Sequence, residues 1–513
     1  MSVPDTRRVS GWSPATLAAA ALVLLAHLLL TLPHLNKGEL DLDEAGTFIV
    51  STQPLHDVLT VPTTFHSQPP LFYLVLGAVA RMADSEPVLR IVPWLFMLAL
   101  GISILLCVRE LSPAGRVVAA AVVLCTDYSR YLTMMVRPYS MAVFLAFWSC
   151  LLFWRLTRSE ARMSWTWAGY TLTTLLMLYT VSIAGGVVVA EGLAATIILV
   201  LRAKRDGLRS AFISVRPILF ALSVVACLYL PFVLYAWSLR RTIGHATASH
   251  SLETMFTPRF FVTGPLYLLR AAYGTGFLAA ALAVYAAWQG LLRRATFVAF
   301  LIVIVAGQIA FSHAFLAGRS GFAFRYLAPA FPALCLLVGV GAEYLCRSFR
   351  QAEQILATSA ALLALGTGIG FARADWHRVG PWRALRGDLD KMQGEKIVFF
   401  DVGWDGQRLQ YETRRDTAIT VLRRRGPGWS WGGSVMTPDY ITRSVDERRA
   451  SASAFFYQFD PVSNRSNFDS AFVPAMEKLG CKKTYVREVP TYTRTVADPS
   501  KGALVVGYSC NAG

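Results

Sequence analysis

The apolar run ATLAAAALVLLAHLLLTL (Ala15–Leu32) is followed closely by the acidic segment ELDLDEA (Glu39–Ala45), and this order decides the fold class. An apolar run near twenty residues is long enough to cross a bilayer. Arg7 and Arg8 precede the run, and no A-x-A-like cleavage site follows it before Pro33. The sequence therefore predicts an uncleaved anchor with a cytoplasmic N-terminus, which places the acidic segment on the opposite face.

The composition of the chain indicates a polytopic membrane protein. Its 513 residues are 55% hydrophobic and 16% charged, and the mean hydropathy is positive, whereas soluble domains carry roughly 25% charged residues. The net charge of +17 does not indicate a nucleic-acid partner. Most of the Lys and Arg residues lie in short segments between apolar runs, which is the distribution that the positive-inside rule gives.

The hydropathy pattern predicts about eleven transmembrane helices, of which the third is interrupted by Asp127 and Arg130. Arginine-rich links alternate with longer segments, so residues 35–87, residues 238–269 and the tail are predicted outside the cytoplasm. The predicted spans are approximately 14–34, 88–108, 115–133, 138–154, 165–181, 183–201, 217–237, 270–290, 295–315, 327–346 and 355–373.

The first external loop, 35–87, contains a second apolar run that starts at Pro70 and continues to Val79. This run is too short to span a bilayer, and proline is tolerated at a helix start. It predicts an interfacial helix entered through Pro69-Pro70, which would hold the acidic segment near the membrane surface.

The tail, 374–513, is predicted to be a small extracytoplasmic α/β domain. Its apolar runs predict strands near Lys396–Phe400, Ala454–Tyr457 and Ala503–Tyr508, and its pattern predicts a helix over Asn467–Leu479. A glycine-rich loop covers 426–433 and lacks a phosphate-binding spacing. Cys481 and Cys510 are the only tail cysteines; a disulfide and two free thiols both stay open, and an extracytoplasmic location favours the disulfide.

Charged residues at the external ends of the spans are the candidates for chemistry. Arg137-Pro138-Tyr139 opens the fourth predicted span and Arg325-Tyr326 opens the tenth, where the positive-inside rule disfavours arginine. Arginine suits bidentate phosphate binding. The alternative is that the carboxylates merely face water and the arginines pair with lipid headgroups. The candidate set comprises Asp43 and Glu44 as catalytic residues, Arg137, Arg325, Tyr139 and Tyr326 at a donor phosphate, and His66, Gln68, Arg130 and Arg319 as further substrate contacts.

One carboxylate with several arginines matches sugar transfer from a polyprenyl phosphate. The departing lipid phosphate gains negative charge, which arginines stabilise, and the acceptor hydroxyl needs a single general base. Glycoside hydrolysis would normally require two carboxylates. We therefore expect Asp43 to be the base of an inverting single displacement. A divalent metal shared by a histidine and Glu44 stays open as a cofactor, although no HExxH or H-x₃-H spacing supports one.

Five segments in order resemble bacterial GT-C membrane glycosyltransferases, and above all the protein O-mannosyltransferase and aminoarabinose (lipid A) transferase group. They are Asp43-Glu44, Gln68–Tyr73, Leu89–Pro93, Arg137–Tyr139 and Arg325–Pro329. The resemblance covers roughly residues 14–346. It implies a catalytic aspartate in the first periplasmic loop, a polyprenyl-phosphate-linked sugar donor, and a multi-pass protein of the bacterial inner membrane. On this basis residues 1–373 form the GT-C transmembrane catalytic domain and 374–513 a periplasmic domain.

The implied enzyme is a hexosyl- or pentosyltransferase whose acceptor is a hydroxyl of a glycolipid, polysaccharide or protein. Three departures from the family pattern weaken the case for aminoarabinose activity and for a family metal site. Met135 stands where many relatives carry glutamate, Gln68 stands in place of a lysine, and Tyr179-Thr180-Val181 replaces Tyr-Thr-His. Two other classes stay open: a transporter or flippase for lipid-linked sugars, and a structural component of an envelope assembly.

Overall fold

The computed structural model divides the chain into two compact units. Unit 1 consists of residues 1–36, 67–239 and 247–374, and unit 2 of residues 37–66, 240–246 and 375–513. The acidic segment therefore belongs to the same unit as the tail. The structure describes residues 12–36, 38–65, 68–158, 164–243, 265–266, 268–269, 275–292, 295–316, 324–346, 351, 354–355, 358–360, 381–400, 405–416, 418–422, 438–448, 451–459, 468–489, 492–493, 496–497 and 503–510.

Unit 1 is a bundle of helices, and two short helices of unit 2, Leu42–Ser51 and Leu55–Phe65, follow its first helix in the sequence. Several helices start at side-chain caps, as where the Ser13 hydroxyl accepts from the backbone N–H of Thr16 at the start of α1. The helices up to residue 346 are α1 Pro14–Thr31, α2 Leu42–Ser51, α3 Leu55–Phe65, α4 Leu71–Met82, α5 Glu86–Cys107, α6 Pro113–Cys125, α7 Asp127–Met134, α8 Tyr139–Arg158, α9 Ser164–Thr180, α10 Gly185–Asp206, α11 Leu208–Ile243, α12 Thr275–Leu292, α13 Thr296–Leu316 and α14 Phe331–Cys346, with 3₁₀ turns at Leu32–His34, Ser182–Ala184 and Phe324–Ala330.

The expected multi-pass helical membrane fold is confirmed. Within the described residues, seven helices are long and apolar enough to cross a membrane; they are Pro14–His34, Glu86–Cys107, Tyr139–Arg158, Ser182–Asp206, Leu208–Ser238, Thr296–Ala314 and Arg325–Leu345. The helices Pro113–Cys125 and Phe277–Leu292 are apolar but shorter. Most of the predicted eleventh span, 355–373, lies outside the described residues.

The prediction of a continuous third span over 115–133 is wrong. Helix α6 ends at Cys125 and α7 begins at Asp127, because Thr126 is extended and its hydroxyl accepts from the backbone N–H of Ser129 as an N-cap. With 13 residues, α6 is about 20 Å long and too short to cross a bilayer. It lies inside the bundle, where all its residues are buried.

The second apolar run of the first loop forms a helix, as predicted. Helix α4 begins directly after Pro70, and it packs against α5 and α9. Phe72, Tyr73 and Leu76 are fully buried. One face of α4 is therefore covered by unit 1 itself, and the remaining loop is also largely helical rather than irregular.

The tail forms the expected α/β domain within unit 2. Its five-stranded sheet has the order β2-β1-β3-β7-β4, with β1 parallel to β2 and β3, and β7 antiparallel to β3 and β4. The three predicted strands correspond to β1, β3 and β7. The elements are α15 Pro381–Asp390, β1 Glu395–Phe400, α16 Asp405–Glu412, β2 Ile419–Leu422, α17 Pro438–Arg448, β3 Ala452–Phe459, a π turn Phe468–Phe472, α18 Val473–Lys478, β4 Lys482–Val489, β5 Tyr492–Thr493, β6 Val496–Ala497 and β7 Ala503–Ser509.

Alternating side chains of the strands build a core on each face of this sheet. Ile397 and Phe399 of β1 face α17 and α18, whereas Val398 faces α15 and α16. The buried Trp382 lies in the second of these cores. A disulfide joins Cys481, just before β4, to Cys510, just after β7, which resolves the alternative that the sequence leaves open.

Candidate active site

The acidic segment forms the N-terminal end of helix α2. The backbone of Asp41 is extended, and its carboxylate accepts from the backbone N–H of Glu44 at 2.8 Å. The Glu44 carboxylate reciprocates by accepting from the backbone N–H of Asp41 at 2.7 Å. This arrangement is a capping box, here with aspartate at the N-cap. Asp41 is therefore the N-cap residue at which α2 starts.

Asp43 lies in the first turn of α2, and its side chain is half-buried. Its backbone carbonyl accepts from the Thr47 hydroxyl at 2.7 Å. The N-terminal end of a helix carries partial positive charge, which favours a carboxylate in its anionic form.

Glu44 has a different environment from Asp43, although it is the next residue. Its side chain is only 5% exposed, and its Oε2 is engaged in the capping box. This contact ties Glu44 to the local geometry of the helix start. Among the described residues, which do not include His66, no group of three or more His, Cys, Asp and Glu side chains could hold a metal ion.

The predicted phosphate-binding residues lie in unit 1 on two neighbouring segments. Arg137 stands in the short connection between α7 and α8, where it is 3% exposed, and the buried Tyr139 is the first residue of α8. Arg325 and Tyr326 lie in the 3₁₀ turn Phe324–Ala330, which packs against α8. The guanidinium of Arg325 is 5.5 Å from the centroid of the Tyr326 ring.

A ring contact shows that these two segments share one end of the helical bundle. Tyr128, in the first turn of α7, makes an edge-on contact with Phe331, the first residue of α14, at a centroid distance of 5.2 Å. The 3₁₀ turn ends directly before Phe331, and α7 spans only eight residues, about 12 Å. The fold therefore brings the Arg137 and Arg325 segments to the same region of unit 1.

Two polar side chains that the sequence did not single out support the Arg325 turn. The Gln308 amide donates to the carbonyl oxygen of Tyr326 at 3.2 Å and to that of Ile183 at 3.0 Å. The Ser312 hydroxyl donates to the same Tyr326 oxygen at 3.2 Å. Gln308 and Ser312 are both fully buried on α13. Polar residues four apart in an apolar run are a usable signal for such a role.

The structure describes only two of the four predicted substrate-contact residues. Gln68 is 7% exposed just before α4, and its amide oxygen accepts no hydrogen bond from the residues that the structure describes. Arg130 lies on α7 with its guanidinium 3.9 Å from the Asp127 carboxylate. His66 and Arg319 lie outside the described residues.

A buried carboxylate in the membrane part is a further polar group that sequence reasoning missed. Glu191 on α10 is fully buried, and it accepts from the Ser149 hydroxyl at 2.9 Å and from the Tyr170 hydroxyl at 2.8 Å. These bonds join α8, α9 and α10. A lone acidic residue in an apolar run is the sequence signal for such a group.

Solved structures resemble this chain over nearly its whole length, although no protein-family model and no curated protein matches it. ArnT from Cupriavidus metallidurans in the apo state gives a TM-score of 0.63 at 13% identity, covering 98% of both chains. The same protein bound to undecaprenyl phosphate gives 0.61 at 12% identity, covering 96% of this chain and 97% of that one. The archaeal oligosaccharyltransferase AglB from Archaeoglobus fulgidus, in complex with an inhibitory peptide and a dolichol-phosphate, gives 0.51 at 12% identity, with 90% and 70% covered.

These likenesses show that the chain has a GT-C fold. Within that class the fold is ArnT-like, because the likeness includes both the helical part and the C-terminal domain. The resemblance that the sequence motifs indicate is thus confirmed at the level of the fold. The fold alone does not determine the reaction, because one fold can host several chemistries.

Proposed function

We propose that this protein is a membrane glycosyltransferase that moves a sugar from a polyprenyl-phosphate-linked donor to an acceptor hydroxyl, with Asp43 as the general base. The observation that carries the proposal is the half-buried Asp43 at a capped helix start, in a chain with an ArnT-like fold. Two similar structures hold undecaprenyl phosphate and dolichol-phosphate, which supports a lipid phosphate as the leaving group.

The reaction proposed is a single displacement at the anomeric carbon. The Asp43 carboxylate accepts the proton of the acceptor hydroxyl as the oxygen of that hydroxyl bonds to the sugar. The bond between the anomeric carbon and the phosphate oxygen breaks at the same time, and the lipid phosphate leaves with one additional negative charge. Attack from the face opposite the phosphate inverts the anomeric configuration.

Arg137 and Arg325 are assigned to the donor phosphate. Each is half-buried or buried, where electrostatic interactions are stronger than in bulk water. Guanidinium groups stabilise the charge that develops on the leaving phosphate without transferring a proton. Tyr139 and Tyr326 adjoin these arginines. We assign Gln68 and Arg130 to substrate hydroxyls. His66 and Arg319 are assigned to substrate hydroxyls from the sequence alone.

The acceptor is a hydroxyl of a glycolipid, a polysaccharide or a protein, and the sugar is a hexose or pentose. We assign the reaction to the periplasmic face of a bacterial inner membrane, with the N-terminus in the cytoplasm and the tail in the periplasm. The disulfide between Cys481 and Cys510 supports an oxidising compartment for the tail. Mass spectrometry of envelope glycolipids and glycoproteins from a deletion strain would identify the sugar and the acceptor together.

The test is the Asp43→Asn variant, with Asp57→Asn as its matched control. Asp57 is a carboxylate on the neighbouring helix α3 with a side chain 46% exposed. Transfer from a radiolabelled polyprenyl-phosphate sugar should fall by roughly 10²–10⁴-fold in Asp43→Asn and stay near wild type in Asp57→Asn. Donor binding and thermal stability should persist in both variants.

Three outcomes would overturn the proposal. One is full transfer activity in Asp43→Asn. Another is retention of anomeric configuration in the product, seen by NMR, which would exclude a single displacement. The third is movement of a lipid-linked sugar across vesicles by the wild-type protein with no release of lipid phosphate, which would indicate a flippase.

A further inference from the structure

Helix α2 is attached to the tail at a point just before Asp43. Glu39 lies four residues ahead of Asp43, and its Oε1 accepts from the backbone N–H of Arg383 at 2.7 Å. Arg383 is in the first turn of α15, where unpaired N–H groups and the helix dipole favour a carboxylate. The chain that leads into α2 is therefore fixed to the start of a tail helix.

A second attachment follows Asp43 on the same helix. The ring of Phe48 meets that of Tyr411 edge-on, with centroids 5.0 Å apart, and both side chains are buried. The guanidinium of Arg414 covers the Tyr411 ring at 3.9 Å and lies 5.6 Å from the Phe48 centroid. One of its nitrogens also donates to the Tyr411 carbonyl oxygen at 2.6 Å. We call Phe48, Tyr411 and Arg414 the clasp.

The two attachment points are joined to each other through the tail. The Arg383 guanidinium is 3.5 Å from the Glu412 carboxylate, and the Arg386 guanidinium donates to the Glu412 carbonyl oxygen at 2.5 Å. These contacts tie α15 to the end of α16, next to Tyr411. Trp382 and Leu409 anchor the two helices in the core on that face of the sheet. The Glu39 contact and the clasp hold α2 on either side of Asp43. The tail residues of these two contacts are therefore themselves connected through α15 and α16.

We propose that the clasp and the Glu39 contact position Asp43 for proton transfer, so that the tail is part of the catalytic apparatus. Glu39, Phe48, Tyr411 and Arg414 are then positioning residues, because they act on the reaction through the placement of α2. This inference rests on the proposed function of Asp43. It gives the tail a role in turnover that is separate from any role in choosing the acceptor.

The first experiment compares Tyr411→Ala with Tyr411→Phe in the full-length protein. Misplacing a reacting group by about 1 Å can cost on the order of 10²-fold in rate. We expect Tyr411→Ala to lower kcat by tenfold or more with little change in the KM for the lipid-linked donor. Tyr411→Phe keeps the ring that contacts Phe48 and Arg414, and it should recover most of kcat.

The control for general destabilisation is Tyr440→Ala. Tyr440 lies on α17 and packs into the core on the opposite face of the sheet from Tyr411. Hydrogen exchange provides a readout that does not depend on activity. In Tyr411→Ala the amides of 42–51 should exchange faster, while those of β3 and β7 should keep their protection.

A second pair of variants tests the other attachment, in case Tyr411→Ala does not fold. Glu39→Gln keeps an acceptor oxygen for the Arg383 N–H, whereas Glu39→Ala removes it. We expect Glu39→Gln to keep most of kcat and Glu39→Ala to lose a measurable part of it.

The positioning role is overturned if Tyr411→Ala and Glu39→Ala both keep wild-type kcat while Asp43→Asn abolishes transfer. It is also overturned if Tyr440→Ala lowers kcat as much as Tyr411→Ala does, because the loss would then reflect the stability of unit 2 in general. Absence of transfer in the wild-type protein is a different result, which would contradict the proposed function itself.

Discussion

Asp41 and Glu44 each hold the backbone N–H of the other at the first turn of α2, at 2.8 and 2.7 Å. Glu39, in the same segment, holds the backbone N–H of Arg383. Three of the four carboxylates between residues 39 and 44 thus have roles in shaping the segment. Asp43 lies in the first turn of α2 with a half-buried side chain, whereas Glu44 is only 5% exposed, and this difference in exposure supports Asp43 as the proposed base.

The capping box makes a prediction that separates structure from catalysis at Glu44. Glutamine serves as well as glutamate in the third helical position of a capping box, so Glu44→Gln should keep most of the transfer activity. Glu44→Ala leaves the Asp41 N–H without this acceptor and should destabilise the helix start by about 0.5–2 kcal/mol, as other lost caps do.

Transfer assays and thermal unfolding of both Glu44 variants provide the measurement. A metal ligand or second catalytic carboxylate would respond differently, because glutamine cannot carry the negative charge. Equal and severe loss of transfer in Glu44→Gln and Glu44→Ala would therefore contradict a purely structural role.

Arg325 is expected to contribute charge stabilisation rather than simple binding. Arg325→Ala should lower kcat/KM by on the order of 10²–10³-fold, by analogy with the loss of an oxyanion donor. Arg325→Lys should recover only part of this loss, because lysine keeps the charge without the bidentate geometry.

The matched control for Arg325 is Arg205→Ala, which removes an exposed arginine whose bonds go to the adjacent Asp206. Steady-state kinetics with a polyprenyl-phosphate sugar should show no change in this control. A loss of only twofold in Arg325→Ala would show that the proposed phosphate contact is wrong.

Gln308 and Ser312 allow the support of the Arg325 turn to be tested without touching the arginine. Each donates to the Tyr326 carbonyl oxygen, and a typical hydrogen bond contributes about 0.5–1.5 kcal/mol net. We expect Gln308→Ala to weaken donor binding more than Ser312→Ala, because Gln308 also holds the Ile183 carbonyl.

Donor affinity measured by titration in detergent would test this order. Ser223→Ala is the control, since the Ser223 hydroxyl bonds only within its own helix among the described contacts. The two effects on Tyr326 should be non-additive, because both side chains share one acceptor. Wild-type donor affinity in the double variant would refute the supporting role.

Local patterns were sufficient to predict much of the fold. The continuous apolar run at Ile397, Val398 and Phe399 predicts a buried strand, and β1 is covered on both faces. The break at Thr126 also has a signal in the sequence, because a threonine followed by Asp127 is typical of a helix start. The apolar character of residues 115–133 favours a single continuous span and conceals this signal. The capping pattern at Asp41 and Glu44 was likewise present in the sequence, although its proximity to the membrane favoured a different interpretation.

Contacts between distant parts of the chain were not predictable in this way. Glu39 and Arg383 are separated by 344 residues, and neither residue type nor spacing identifies the pair. The clasp could not be predicted for the same reason, since nothing in the local sequence around Phe48, Tyr411 or Arg414 indicates that these residues meet. Positioning roles emerge only when the fold brings such residues together, whereas the proposed base Asp43 is conspicuous in the sequence because charge near a membrane is costly.

The disulfide between Cys481 and Cys510 leads to a prediction about both stability and compartment. It joins the ends of the adjacent strands β4 and β7 across 29 residues, and a crosslink of this kind typically contributes about 2–4 kcal/mol. Cys481→Ser with Cys510→Ser should therefore lower the melting temperature of unit 2, and reductant should have the same effect on the wild-type protein.

Alkylation of denatured protein from intact cells tests the compartment directly. The chain has eight cysteines, so an oxidised pair predicts six modified thiols without reductant and eight with it. Cys125→Ser is the control, because Cys125 is a buried thiol outside the disulfide and its loss should lower both counts by one. Eight modified thiols without reductant would show that the pair is reduced in the cell, which would contradict a periplasmic tail.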